Sequence, residues 1–128
     1  MTEHTKRALL KLAGAATLAT LTQTGGTLSG SGTVTLTGTG STWSGSSGAW
    51  AGGGTVHLNS GAVLTLSGNG IGNTFAGRTL DIGSGATVTI SGEVELDPGT
   101  NAIVNAGTLN LTGARISQVY NGPGSLTL

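Results

Sequence analysis

The sequence predicts an all-β chain wound as a parallel β-helix, or β-solenoid. Three observations carry that prediction: a recurring unit of about 23 residues, aliphatic and hydroxyl side chains alternating within it, and glycine at its boundaries. The stretch Gly61-Ala62-Val63-Leu64-Thr65-Leu66-Ser67-Gly68 returns as Gly85-Ala86-Thr87-Val88-Thr89-Ile90-Ser91-Gly92. A looser copy is Gly107-Thr108-Leu109-Asn110-Leu111-Thr112-Gly113, so Leu64, Val88 and Leu109 stand 24 and then 21 residues apart.

Two further series run in step with this one. Val34, Val56, Leu80, Ala102 and Leu126 are separated by 22, 24, 22 and 24 residues, and Leu36, Leu58, Ile82, Val104 and Leu128 follow two places on. Leu28, Trp50, Phe75, Leu96 and Tyr120 form the third. Each unit therefore holds three short runs of period-two alternation, the signature of strands of about four to six residues. A unit this small cannot bury its apolar face alone and must stack on its neighbours. Like residues then lie over one another at the strand spacing of ~4.8 Å, and the series become buried interior columns. The expectation is about four coils of roughly 21–25 residues over 25–128, with three short strands in each. An antiparallel sandwich would not require one register to be kept through five units, and the glycines lack the period of three that collagen needs.

Composition agrees with a thin, elongated core. The chain of 128 residues has room for one domain, yet it contains 25 glycines, 8% charged and 3% aromatic residues. A compact ball with so few large apolar groups would struggle to offset its chain entropy. Formal net charge is zero, with no clustered basic face, which argues against a nucleic-acid partner. Cysteine is absent, so disulfides and thiolate metal sites are excluded. Residues 1–24 read differently from the rest. Leu9, Leu12, Ala13 and Ala16 share one helical side, which predicts an amphipathic helix capping the solenoid, since terminal repeats need a polar outer cover. The alternative reading of the same segment is a weak signal peptide, with Lys6 and Arg7 before the apolar stretch Ala8 to Leu21. That stretch is too short and too polar to span a bilayer, so no transmembrane span is predicted.

The residues from Trp43-Ser44-Gly45 through Gly54-Thr55-Val56, Gly61 to Gly68, Gly77-Arg78-Thr79-Leu80 and Asn105-Ala106-Gly107-Thr108-Leu109 resemble a known group. They are similar to the repeats of large bacterial surface proteins of the filamentous-haemagglutinin and autotransporter-passenger (adhesin-like) type. The resemblance covers roughly Gly25 to Leu128. It implies a right-handed β-helix, export to an extracellular or cell-surface location, and a scaffold or adhesion role. Neither the long N-terminal secretion domain nor the C-terminal barrel translocator of such proteins is expected within these 128 residues, which therefore read either as a fragment of something larger or as a small stand-alone relative.

Few residues are equipped for chemistry, and no catalytic, cofactor-binding or metal-binding residue is expected. Glu93-Val94-Glu95-Leu96-Asp97 places three carboxylates on one outer strand face. Carboxylates ~7 Å apart can serve a glycosidase or hold a cation, but a solvated acidic stripe that discourages lateral pairing is the plainer account. His57 precedes Asp81 by 24 residues and Glu93 precedes Arg115 by 22, each one coil, so both couples are expected to meet as surface ion pairs. The glycine-rich stretch Gly45 to Gly54 lacks the Lys-Ser/Thr of a phosphate loop and reads as a long corner. Trp50 and Phe75 are assigned to the interior, while Trp43 stays open between core and a carbohydrate-stacking surface.

Threonine supplies the remaining signal. Thr33, Thr35 and Thr37 alternate outward, and Thr65, Thr89 and Asn110 form a file of the sort ice-binding solenoids use, although threonine also simply suits an exposed strand. The functional expectation is a non-catalytic structural or adhesive module. Ice binding, carbohydrate binding and a fragment of a β-helix polysaccharide-degrading enzyme are the alternatives. Gly124-Ser125-Leu126-Thr127-Leu128 reads as the first strand of a further coil, which makes Leu126 and Leu128 a candidate assembly end for self-association or for a continuing chain.

Overall fold

In the inner coils, where threonine alternates with an aliphatic residue, a four-residue strand forms with the aliphatic positions turned inward; in Thr108–Leu111 of the last coil Leu111 is instead exposed. Thr33–Leu36, Thr55–Leu58 and Thr79–Ile82 all alternate half-buried and buried residues in the same phase. The computed structural model describes residues 3–6, 10–11, 14–45, 48–68, 74–96, 99–118 and 124–127, and side chains for 14–45, 48–68, 74–95 and 101–115.

Six coils follow one another, each of three strands. The first holds β1 (Glu3–Lys6), β2 (Leu10–Lys11) and β3 (Ala15–Leu18), and the second β4 (Thr20–Gln23), β5 (Gly26–Ser29) and β6 (Thr33–Leu36). The third has β7 (Ser41–Trp43), β8 (Gly48–Ala51) and β9 (Thr55–Leu58), and the fourth β10 (Val63–Leu66), β11 (Thr74–Ala76) and β12 (Thr79–Ile82). The fifth has β13 (Thr87–Ile90), β14 (Glu93–Leu96) and β15 (Gly99–Asn105), and the sixth β16 (Thr108–Leu111), β17 (Arg115–Gln118) and β18 (Gly124–Thr127). Every third strand belongs to one sheet. The first sheet runs β1-β4-β7-β10-β13-β16, the second β2-β5-β8-β11-β14-β17 and the third β3-β6-β9-β12-β15-β18. All inter-coil strand pairs are parallel, as a chain that always returns in the same sense requires.

Corners are tight where glycine permits it. Gly61 and Gly85 have φ of 82° and 80°, a region costly for residues with a Cβ, and each precedes the alanine that enters β10 or β13. Main-chain bonds continue through the corners: Thr33 N donates to Gly14 O at 3.0 Å, Thr55 N to Gly32 O at 3.1 Å and Thr79 N to Gly54 O at 3.0 Å.

The N-terminal segment departs from expectation. Where a helical cap is expected, the described part of residues 1–24 contains no helix; it supplies the three strands of the first coil and the first strand of the second, which brings the coils traced by described strands to six instead of about four. Ala15, Ala16, Thr17 and Leu18 pair one by one with Thr33, Val34, Thr35 and Leu36. A lone helix of this length is marginal in water, whereas pairing with the next coil satisfies the backbone and buries Leu18. The early coil is also short: Leu18 to Leu36 is 18 residues, against 22 from Leu36 to Leu58, so no fixed period exposes it.

The register departs from expectation in the fifth coil. Leu80 pairs with Ile103, not Ala102, and Asp81 pairs with Val104. Ala102 and Val104 therefore leave the interior columns, and Val104 is 52% exposed while Ile103 is 2% exposed. Asn101 and Ile103 turn inward in their place. Leu126 pairs with Asn101, and Gln118 instead of Tyr120 pairs with Leu96. Leu128 and Tyr120 lie outside the described residues. The other columns keep the expected register: Val34, Val56 and Leu80; Leu36, Leu58 and Ile82; Leu64, Val88 and Leu109; Leu28, Trp50 and Phe75.

Candidate functional surfaces

The third sheet presents two outer files. One is Thr33, Thr55 and Thr79; the other is Thr35, His57, Asp81 and Val104. Ile103, between these two files in the fifth coil, turns inward. Parallel in-register pairing sets His57 directly beside Asp81, and His57 Nδ1 lies 2.7 Å from Asp81 Oδ2. The other ring nitrogen, Nε2, lies 3.1 Å from Asn59 Oδ1. Asp81 and Asn59 thus lie against the two ring nitrogens. Both members of the pair are about a third exposed, which limits its contribution to roughly 0–1 kcal/mol.

On the second sheet, Glu93 and Glu95 face outward from β14, and Arg115 on β17 pairs with Glu93 in register. Arg115 Nε is 3.5 Å from Glu93 Oε1, with the arginine side chain largely in solvent. Asp97 lies outside the described residues, so the three-carboxylate stripe is described at its first two members only. Among the described residues no group of three or more His, Cys, Asp or Glu side chains is placed to hold a metal ion. No long corner runs from Gly45 to Gly54: β8 crosses that stretch and buries Trp50.

The first sheet carries a longer threonine file than the sequence repeat implies. Thr22, Thr42, Thr65 and Thr89 pair in successive coils, and Asn110 follows. Beside them run Val63, Thr87 and Thr108. The repeat Thr65, Thr89 and Asn110 was visible in the sequence because those units match closely. Thr22 and Thr42 sit in short coils of unlike sequence, and only the register reveals them.

All three described aromatic side chains are interior. Trp43 and Trp50 stack with ring centroids 4.5 Å apart, and Phe75 lies 5.6 and 5.3 Å from them. Trp50 Nε1 donates to Gln23 Oε1 at 2.8 Å, and the Gln23 amide donates to Gly26 O at 3.0 Å. Trp43 thereby joins the core, and no described aromatic ring is left to stack on a sugar.

The residue that sequence reasoning missed is Arg78, which is 1% exposed. It stands at the corner between the second and third sheets in the fourth coil, reaching towards the coils before it. Nη1 donates to Gly30 O and Ala51 O at 3.1 and 3.2 Å, and Nη2 to Gly32 O and Thr55 O at 3.1 and 3.4 Å. Burial pulls its guanidinium below the ordinary arginine range. Its signal in the sequence was positional: aligning Thr79-Leu80 with Thr55-Val56 and Thr33-Val34 puts Arg78 over Gly54 and Gly32.

Fold and faces together define a parallel β-solenoid of stacked repeats. Comparison with protein-family models, curated proteins and solved structures finds no match to this chain. No helix among the described residues is long and apolar enough to cross a membrane.

Proposed function

We propose that the chain is a non-catalytic structural module of a bacterial surface or secreted protein, adhesin-like in use and able to associate end to end. The observation that carries this reading is the continuity of the sheets: three parallel sheets run through all six coils, with β1, β2 and β3 as edge strands at one end and β16, β17 and β18 at the other. Edge strands of a parallel stack offer unpaired main-chain groups, which receive another coil, from a longer chain or from a second copy. Stacking of copies is head-to-tail and therefore extends into filaments instead of closing. The surface location rests on the resemblance of the repeats alone.

Light scattering and negative-stain microscopy over a concentration series test the assembly, with Leu126→Lys expected to suppress it. Strictly monomeric particles at high concentration exclude end-to-end association. Assays on common polysaccharides are expected to show no hydrolase or lyase turnover, and turnover lost on Glu93→Gln or Glu95→Gln would replace the structural reading with an enzymatic one.

A second reading is favoured by one observation, the file Thr22, Thr42, Thr65 and Thr89. Its hydroxyls and methyls repeat at the rung spacing of ~4.8 Å, a regular uncharged face of the kind that orders water into an ice-like layer. Burial of the described aromatics argues against sugar stacking as its use. Thermal hysteresis abolished by Thr65→Lys and retained with Thr33→Lys on the third sheet would establish ice binding at this face.

A further inference from the structure

Aliphatic columns alone leave one register error open. A slip of one residue between stacked strands turns every interior side chain outward and is forbidden by burial. A slip of two residues keeps the parity: Leu80 would still face inward over Leu58, and only Ile82, carried over Ser60, would lose its apolar neighbour. The threonines outside are equally indifferent, because Thr79 can lie beside His57 as readily as beside Thr55. Apolar burial therefore distinguishes the two arrangements by a single side chain, and a second determinant is needed to make the choice sharp.

We propose that Arg78 is the register key of the second to fourth coils, a side chain whose seat exists only when β12 is aligned on β9 as observed. The seat is made of two stacked glycines and four carbonyls. A Cβ on Gly54 would approach Arg78 Nη1 and Nη2 to 2.8 and 2.9 Å, closer than real Cβ contacts, so the guanidinium occupies the room that only glycine leaves. Its acceptors are Gly30 and Gly32 in the second coil and Ala51 and Thr55 in the third, which ties three coils through one planar group. Above it the neighbouring main chain is also fixed, since Gly77 N donates to Asn101 Oδ1 at 2.9 Å. A two-residue slip would carry the guanidinium off Gly54 and away from all four oxygens.

The chemistry of the seat favours specificity over stability. Gly32 O already accepts the main-chain bond from Thr55 N, so the guanidinium adds a second donor to an oxygen already satisfied. Arg78 Nε has no partner among the described residues, and no carboxylate lies among the acceptors of this cation. A buried cation held in this way costs desolvation that an apolar side chain of the same length avoids. Its retention is explained by what it forbids, in the way a single buried polar residue fixes the register of a coiled coil.

Engineered cysteine pairs read the register directly, because the chain has no cysteine of its own. Thr55→Cys with Thr79→Cys places two thiols on in-register neighbours, whose Cα separation of ~4.8 Å is within disulfide reach. His57→Cys with Thr79→Cys lies on the diagonal at about 8 Å, too far to bridge unless β12 has slipped by two residues. With Arg78 present, only the first pair should oxidise. In the Arg78→Met background the second pair should close several-fold more and the first should lose yield in proportion. Arg78→Lys should behave like Arg78→Met, because an ammonium lacks the planar fork that reaches four carbonyls. An unchanged pattern in both variants overturns the proposal. So does closure of both pairs only to the level of urea-denatured chain, which would make Arg78 a support of the fold itself and not of its register.

Discussion

The second to fourth coils are held from inside at two places that bury large side chains by opposite means. On the first and second sheets, Trp43, Trp50 and Phe75 stack nearly parallel, with interplanar angles of 13°, 19° and 11°. At the corner between the second and third sheets, Arg78 reaches across the same coils and makes four bonds to carbonyl oxygens. The stack removes a large apolar area from water and is tolerant of small shifts, because rings can slide over one another. The corner removes a charge from water and tolerates little, because four acceptors and two glycines must coincide. One region supplies free energy and the other supplies geometry. A solenoid of near-identical rungs needs both, since apolar burial favours stacking without stating which residue lies over which.

The largest effect expected from breaking this comparison is on the aromatic side. Trp50→Ala removes one of three mutually packed rings and should lower stability by about 3–5 kcal/mol in urea denaturation. The two tryptophans then separate packing from hydrogen bonding. Trp50→Phe leaves Gln23 Oε1, a buried acceptor, without its donor, whereas Trp43 Nε1 has no partner among the described residues to lose. Trp50→Phe should therefore cost about 1–3 kcal/mol more than Trp43→Phe. Equal costs would mean that the Gln23 bond contributes nothing.

A smaller effect is expected at the corner. Gly54→Ala introduces a Cβ into the space of the Arg78 guanidinium and against Gly32 O. Overpacking of this kind costs about 1–3 kcal/mol, and Gly54→Ala combined with Arg78→Met should recover part of it, because the flexible apolar chain can yield where the bonded fork cannot. Strict additivity of the two substitutions would show that they do not share a seat.

These regions also mark where the sequence could be read. Leu36, Leu58 and Ile82 share a column because period-two alternation is clean there and the coil steps are nearly constant. The same rule fails at Asn101-Ala102-Ile103-Val104, where three apolar residues in succession leave the parity undecided. The choice falls to Asn101, whose carbonyl oxygen accepts from Gly77 N inside the corner and so turns Ile103 inward. Arg78, Asn101 and Gln23 were invisible for a common reason: a hydrophobic pattern places polar residues outside by default, and only a column of glycines beneath Arg78 signalled an exception. The first coil was hidden by its short step and by alanine and leucine, which suit a helix as well as a buried strand. For the candidate surfaces, the 24-residue spacing of His57 and Asp81 equals the local coil step, and the structure sets them 2.7 Å apart. The full threonine file needed the register itself.

The smallest effect is expected outside the solenoid, and it calibrates the other two. Arg115 and Glu93 are in-register neighbours like the interior pairs, so their backbones meet in the same geometry. The difference is the medium. The Arg115 side chain is 75% exposed against 18% for Glu93, so the arginine end of the 3.5 Å contact lies in water, and holding two long side chains together costs rotamer freedom. Arg115→Ala should therefore change stability by no more than roughly 1 kcal/mol, and that change should shrink as salt is added. The same guanidinium group placed at position 78 touches four carbonyls across three coils, which is why its removal is predicted to act on register. A melting temperature that falls by many degrees with Arg115→Ala would mean that in-register pairing alone makes a charged contact strong, whatever the solvent. The contrast between buried and exposed arginine would then no longer explain why Arg78 matters.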